Sequence, residues 1–180
     1  PNLTLIEIDF LKVNQTKLPK DLDIAYYLIH SMSGTQHFLN LEAECAHNFV
    51  NLINQTDIKQ TVYLSGIVNT DKLSQHLASR KKVSEILNMA NAALTTLKAG
   101  IIIGSGSASF EIIRDLSEKL PVMITPTWVN TKTQPIAVRN VLQLLIKVIS
   151  DSETYNNEYD IGGPDIYSFK EMMLKFAKAR

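Results

Sequence analysis

The stretch from Leu97 to Leu120, LKAGIIIGSGSASFEIIRDLSEKL, constrains the fold more than any other part of the chain. It opens as an apolar run, breaks at Gly104-Ser105-Gly106 and resumes with amphipathic spacing, which predicts a buried strand, a tight turn and a helix. In open α/β sheets, ligands sit outside the carboxyl ends of the strands, where small residues let backbone N–H groups approach a bound group closely. Gly104, Ser105 and Gly106, followed by Ser107, stand at such a place and are candidate substrate contacts.

The segment GSGSAS has the G-x-G-x-x-small form of a dinucleotide phosphate loop. That fingerprint also needs an acidic residue at the end of the next strand, on the order of 20 residues later, to take the ribose hydroxyls. The next strand here, Pro121 to Ile124, runs into Thr125-Pro126 without a carboxylate, and the third glycine place holds Ser109. The pyrophosphate role is therefore the weaker reading.

The same alternation of strand, polar end and helix recurs upstream. Leu3 to Phe10 interleaves apolar and polar residues and predicts a short strand ending at Asp9-Phe10. Ile24 to His30 is a continuous apolar run of the kind found in strands buried on both faces, and polar groups follow it. Phe38 to Ile53 has helical spacing, with Glu42, Glu44 and Asn48 left for solvent. Thr61 to Leu64 predicts a second buried strand ending at Ser65-Gly66, Lys72 to Ala90 the next helix, and Leu94 to Ile103 a third strand.

After Leu120 the rhythm changes. Pro121 to Ile124 is a short strand, Trp128 and the Thr131 to Thr133 turn suggest an irregular hairpin, and Ile136 to Val138 leads into a helix from about Asn140 to Ser150. Tyr159 to Ile161 predicts a strand, and Ser168 with Glu171 has capping-box spacing for a last helix to Lys178. Alternating strands and helices give an α/β chain with a parallel sheet and right-handed crossovers.

At 180 residues, 45% of them hydrophobic, the chain has enough material for one sizeable core, and residues 1–180 are expected to form a single domain. The zero formal net charge argues against a nucleic-acid partner drawn by a basic field. A lone cysteine, Cys45, excludes an internal disulfide and a cysteine-based zinc site, and suits a cytoplasmic setting. No apolar run reaches the roughly 18 to 20 residues needed for a membrane span. No metal is assigned, because His37 and His47 lack partners at ligand spacing.

Three strand ends are expected to line one crevice: His30-Ser31-Met32, Ser65-Gly66-Ile67 and Gly104 to Ser107. His76 and Arg80 are four apart on a helix and share a face near its start. With Ser65 they make a candidate set for handling a proton beside a carbonyl or hydroxyl, His76 as acid or base and Arg80 as a fixed charge. The structural alternatives stand beside these readings. Ser65-Gly66 also serves simply to end a strand, His76 also fits a solvated helix, Arg80-Lys81-Lys82 also fits a charged outer face, and His30 reads as a core histidine bonded to backbone.

The order IAYYLIHSM, TVYLSGI, LSQHLASRKKVSEIL, LKAGIIIGSGSASFEIIRDL, PVMITPTWVNTKTQPIAVRNVL and YDIGGPDIYSFKEMM resembles the atypical short-chain dehydrogenase/reductase superfamily. More narrowly it is similar to the NAD(P)-binding, nucleoside-diphosphate-sugar-epimerase-like group that includes an accessory subunit of respiratory complex I. The resemblance covers nearly all of the chain and implies a Rossmann-like, doubly wound parallel sheet without its first two strands. It implies NADP or NAD as cofactor, with Asp9 and Phe10 beside the adenine, His30, Ser31 and Met32 at ribose or phosphate, and Ala99, Gly100 and Ile101 at the nicotinamide. Ser65 matches the active-site serine, Gly66 and the Gly104 to Gly106 turn lie on the substrate side, and residues 121–180 form the substrate-side segment, with Gln134-Pro135-Ile136 as a short return strand. The activity implied is an NAD(P)-dependent oxidoreductase or epimerase-like reaction on a carbonyl or hydroxyl substrate. The alternative is a non-catalytic NAD(P)-binding sensor or assembly protein. A small molecule and a homo-oligomer are the expected partners.

Two departures from the family pattern bear on this. Catalytic members use a Tyr and a Lys four residues later, and His76 and Arg80 stand at those places. The Gly-rich first unit and the second strand, roughly 55 to 65 residues at about 30 per unit, are absent from the sequence. A longer polypeptide is therefore expected, and the chain as given is expected to bind dinucleotide weakly or not at all.

Overall fold

The computed structural model describes residues 3–13, 17–30, 38–67, 75–119 and 127–178. A parallel central sheet is flanked by helices. Its strands are β1 (Ile24–Tyr27), β2 (Gln60–Gly66), β3 (Ala93–Ala99) and β7 (Asn157–Ile161), in the order β1-β2-β3-β7. Strands β1 and β2 run parallel, with Ile24 opposite Gln60 and Tyr27 opposite Tyr63. Two short pairs accompany this sheet. Strand β4 (Ile102–Ile103) is parallel to β6 (Ile136–Ala137), and β5 (Lys132–Thr133) is antiparallel to β8 (Tyr167–Ser168).

The contacts divide the chain into two compact units, residues 1–97 with 148–158, and residues 98–147 with 159–180. In the first, helices α1 (Phe38–Ile53) and α2 (Gln75–Leu87) pack on each other. Helix α1 buries Glu42, Ala46, Phe49, Val50 and Ile53, a stripe at spacings of three and four, and α2 buries Ser79, Val83, Ile86 and Leu87. These stripes close over Tyr27, Tyr63 and Leu94 of the strands. The Tyr27 ring meets Phe49 and Tyr63 edge to face, with centroids 4.9 and 5.7 Å apart, an arrangement that aromatic quadrupoles favour.

Residues along one strand alternate between the two faces of the sheet, so Gln60 lies on the face opposite Tyr63. Its side chain is wholly buried and ties that side of the first unit together. Nε2 donates to Thr95 Oγ1 at 2.9 Å and to the Val148 carbonyl at 2.8 Å, and Oε1 accepts from the Ser150 N–H at 2.9 Å.

The second unit has its own core of Ile101, Ile113, Val129, Met172 and Met173. It is built by α3 (Ala108–Lys119) against α5 (Phe169–Lys178), with Phe110 edge to face on Phe176. Helix α4 (Val138–Lys147) follows β6 directly. A short 3-10 turn, Thr127–Asn130, precedes β5, and another, Ser152–Thr154, precedes β7. None of the described helices is long and apolar enough to cross a membrane.

Several elements differ from the sequence expectation. Residues 3–10 form no strand. No ladder pairs them within the described residues, Leu3 and Leu5 are 86% and 94% exposed, and the segment ends in a turn where Asp9 Oδ1 accepts from the Leu11 N–H at 2.9 Å. Alternating hydropathy describes a strand only when a neighbour supplies hydrogen bonds. The run Ile24 to His30 contracts to β1, which is not buried on both faces: only Tyr27 is fully buried, while Leu28 and Ile29 are exposed.

Helix α2 ends at Leu87 instead of Ala90, and its expected first turn at Lys72 lies outside the described residues, as does the strand at Pro121 to Ile124. The strand expected from Leu94 to Ile103 breaks after Ala99, and β4 joins β6 in a separate sheet, where the Ile101 carbonyl accepts from the Ile136 N–H at 2.9 Å. In place of a hairpin near Trp128, β5 pairs with the distant β8.

Candidate functional site

Because β1 and β2 are parallel and in register, His30 lies just past one carboxyl end and Ser65-Gly66 at the other. Helices α1 and α2 bring three further polar side chains to this end of the first unit. His30 Nδ1 lies 3.3 Å from Glu42 Oε1 of α1, and Arg80 Nη2 of α2 lies 3.4 Å from His30 Nε2. The Ser79 hydroxyl donates to the other Glu42 oxygen. Arginine has only donors, so a hydrogen bond from Arg80 needs Nε2 as its acceptor, which requires the neutral tautomer with its proton on Nδ1, facing the Glu42 carboxylate.

Arg80 is held from a second side. A Cβ placed on Gly66 would come within 3.3 Å of Arg80 Cδ and 3.4 Å of Nε, so the absence of a side chain lets the guanidinium stem lie across the end of β2. Ser65, on the opposite face of the strand from Gly66, is buried and hydrogen-bonds Tyr63. Burial pushes the Tyr63 phenol up from its ordinary pKa, while the Ser65 hydrogen bond and the Arg80 charge draw it partly back. Tyr63 is therefore a neutral hydroxyl at neutral pH.

His30 is thus not a core histidine. Its side chain is 35% exposed and its ring is held by a carboxylate and a guanidinium. Glu42, read as solvent-facing, is buried on the inner stripe of α1. Arg80 is more than part of a charged outer face, since it contacts His30 and Gly66. The Glu42, Ser79 and Tyr63 contributions were missed in the sequence. The available signal was that positions 42, 46, 49 and 53 share a helix face, which places a carboxylate inside an apolar stripe.

The backbone of His76 belongs to α2, one turn before Arg80, and its side chain lies outside the described residues, as do Ser31 and Met32. Asp9 accepts a hydrogen bond within its own turn. Phe10 packs on Phe49, with centroids 6.2 Å apart, and its carbonyl accepts from Asn48 Nδ2 at 2.8 Å.

The second unit carries the other candidate group. Ala99 and Ile101 are buried, Ile101 within the core, and Gly100 between them is exposed. The turn after β4 runs through Gly104, Ser105 and Gly106 into α3, as the sequence predicts. Gly106 has φ +81°, a conformation that favours glycine, and Ser105 and Gly106 are exposed. Ser107 caps α3: its hydroxyl donates to the Ile102 carbonyl and accepts from the Phe110 N–H at 3.4 Å. Gly104 sits 2.9 Å, measured from its ideal Cβ, from Val138 Cβ at the start of α4. Gly163 donates to the Pro135 carbonyl at 2.9 Å and accepts from Gln134, which joins the sequence motifs TQPIAV and IGGPD.

No protein-family model and no curated protein matches the sequence. Solved structures do match the fold. One is a UDP-glucuronic acid 4-epimerase variant from Bacillus cereus in complex with a fluorinated UDP-glucuronic acid and NAD. Its TM-score is 0.73 at 15% identity, covering 96% of this chain and 65% of that one. Another is the Bordetella bronchiseptica enzyme WbmG in complex with NAD and UDP, with TM-score 0.68 and 10% identity over 86% and 56% of the two chains. A third is TunA, an NAD-dependent NDP-hexosamine 5,6-dehydratase involved in tunicamycin biosynthesis, with TM-score 0.67 and 12% identity over 89% and 61%. The chain therefore has the α/β, Rossmann-like fold of NAD-dependent sugar-nucleotide epimerases and dehydratases, and it spans 56 to 65% of the length of these three.

Proposed function

We propose that this protein is an NAD-dependent oxidoreductase or epimerase of the sugar-nucleotide type, working in the cytoplasm on a carbonyl or hydroxyl of its substrate. The observation that carries the reading is the gathering of His30, Ser65, Gly66 and Arg80 at the carboxyl ends of two parallel strands, which is where open α/β sheets take their ligands. The fold adds support, because two of its solved examples hold NAD together with UDP or a UDP-sugar. In this reading bound NAD would supply the hydride chemistry. Arg80 holds the ribose, Ser65 polarises the substrate oxygen, and His76, one helical turn before Arg80, gives or takes the proton.

The test is a titration of the protein at its native length with NADH and NADPH, following nicotinamide fluorescence, and then a panel of UDP-sugars. The expected result is NADH binding at micromolar concentration and turnover that His76→Ala lowers at least about 100-fold. Failure to bind either dinucleotide would overturn the nucleotide reading. Binding with no turnover of any sugar, and no effect of His76→Ala, would overturn the enzymatic half and leave a dinucleotide-binding protein.

A further inference from the structure

Arg80 is the cation at the end of β2, and two things define where it points. Gly66 gives its stem a surface to lie on, and His30 gives its Nη2 an acceptor at 3.4 Å. A surface alone does not fix a guanidinium, because the planar fork slides and rotates on it; an acceptor in the plane of the fork does. Imidazole is such an acceptor in only one state. If the neutral ring carries its proton on Nε2, or if both nitrogens are protonated, an N–H faces an N–H and Arg80 is pushed away.

The choice of state is made at the other nitrogen. Glu42 Oε1 lies 3.3 Å from Nδ1, and a carboxylate oxygen is an acceptor, so it draws the ring proton to Nδ1 and leaves the Nε2 lone pair for Arg80. Glu42 is itself held in place: it is 7% exposed, it lies on the inner stripe of α1, and the Ser79 hydroxyl donates to its second oxygen. The order of control therefore runs from α2 Ser79 to α1 Glu42, to His30 after β1, and back to α2 Arg80.

We propose that Glu42, acting through the tautomer of His30, is a positioning residue that aims the Arg80 guanidinium across the end of β2. The same arrangement explains a carboxylate buried in an otherwise apolar helix stripe, where a charge is costly unless paired. What Arg80 then meets rests on the function proposed above, where it holds the bound dinucleotide. The tautomer and the Arg80 contact do not depend on that function.

The experiment uses the protein at its native length, with 15N labelling to read the His30 ring and the Arg80 side chain, and NADH as the ligand probe. In the unaltered protein His30 is expected as the Nδ1–H tautomer, and the Arg80 side-chain N–H signal is expected to be protected from exchange. Glu42→Gln keeps an amide oxygen as acceptor and is expected to keep that tautomer. Glu42→Met is expected to move the ring toward Nε2–H, expose the Arg80 signal and raise the NADH Kd about tenfold, the worth of one hydrogen bond to a charged group. His30→Leu is expected to expose the same signal and raise Kd by a similar factor. The double variant is expected to add nothing further, because both changes act through one contact.

An Nε2–H ring in the unaltered protein overturns the proposal. So does an Arg80 signal unchanged in His30→Leu, and that variant decides the matter alone if Glu42→Met does not fold. If NADH does not bind at all, the functional reading fails while the two spectroscopic readouts still decide this one.

Discussion

Gln60 illustrates how much a single buried amide contributes. It satisfies groups on two other segments of the first unit, Thr95 of β3 and the turn that holds Val148 and Ser150. Gln60→Leu preserves volume but removes every partner. The expected loss is about 2 kcal/mol, read as a lower urea midpoint with an unchanged slope. A loss within experimental error would mean that the amide is replaceable by packing. The residues of the candidate site were only partly legible in the sequence, for a related reason. Ser65, Gly66 and Arg80 were placed correctly at a strand end and on the following helix, because hydropathy marks those features. Which polar groups then meet was hidden. Periodicity says which face a residue is on, and it put Glu42 on the wrong side because charge was weighed above position. Within an apolar run, the hydroxyl of Tyr63 leaves no mark on the pattern that distinguishes it from a phenylalanine.

At the scale of elements, α5 shows a local signal that held. Ser168 accepts from the Glu171 N–H at 3.1 Å, and Glu171 accepts from both the Ser168 N–H at 2.7 Å and its hydroxyl at 2.9 Å, the reciprocal bonds of a capping box. These bonds from Ser168 hold the Glu171 carboxyl below its ordinary range. A folded pKa lowered in this way makes the cap's contribution complete above the unfolded value of about 4.3, and it disappears as the pH falls through the lower folded value. Amide exchange of α5 is therefore expected to speed up at acid pH in excess of its chemical trend. Glu171→Gln is expected to speed it at neutral pH and to flatten the acid dependence; a variant that keeps the full acid response would refute the assignment. The bounds of α1 were legible for the same reason as this cap, since helix signals are local. Strand signals are not. Residues 3–10 alternate without a partner strand, and the run to Ile103 gives no sign that the chain changes sheets after Ala99, because hydropathy reports burial and is silent on which ladder accepts the bonds.

For the whole molecule, the order β1-β2-β3-β7 and the helices between the strands follow the alternation read along the chain, and the solved neighbours share the fold. The partition of contacts into two units was not visible, because no local pattern marks the point between residues 97 and 98 at which the chain begins to serve a second core. The sequence separations inside the first unit also carry a kinetic consequence. Gln60 bonds to groups 35, 88 and 90 residues further along the chain. Closing the loops to Val148 and Ser150 costs more entropy than forming local helices or pairing β1 with β2, whose partners Ile24 and Gln60 are much nearer in the chain. The bonds to Val148 and Ser150 are therefore expected to form late on the folding path, after the barrier. In stopped-flow measurements, Gln60→Leu is expected to accelerate unfolding while leaving the refolding rate nearly unchanged; a slowed refolding limb would place Gln60 in the nucleus instead. The wholly buried glutamine then acts as a latch on an already assembled sheet, and what it governs is how long the native state lasts once formed.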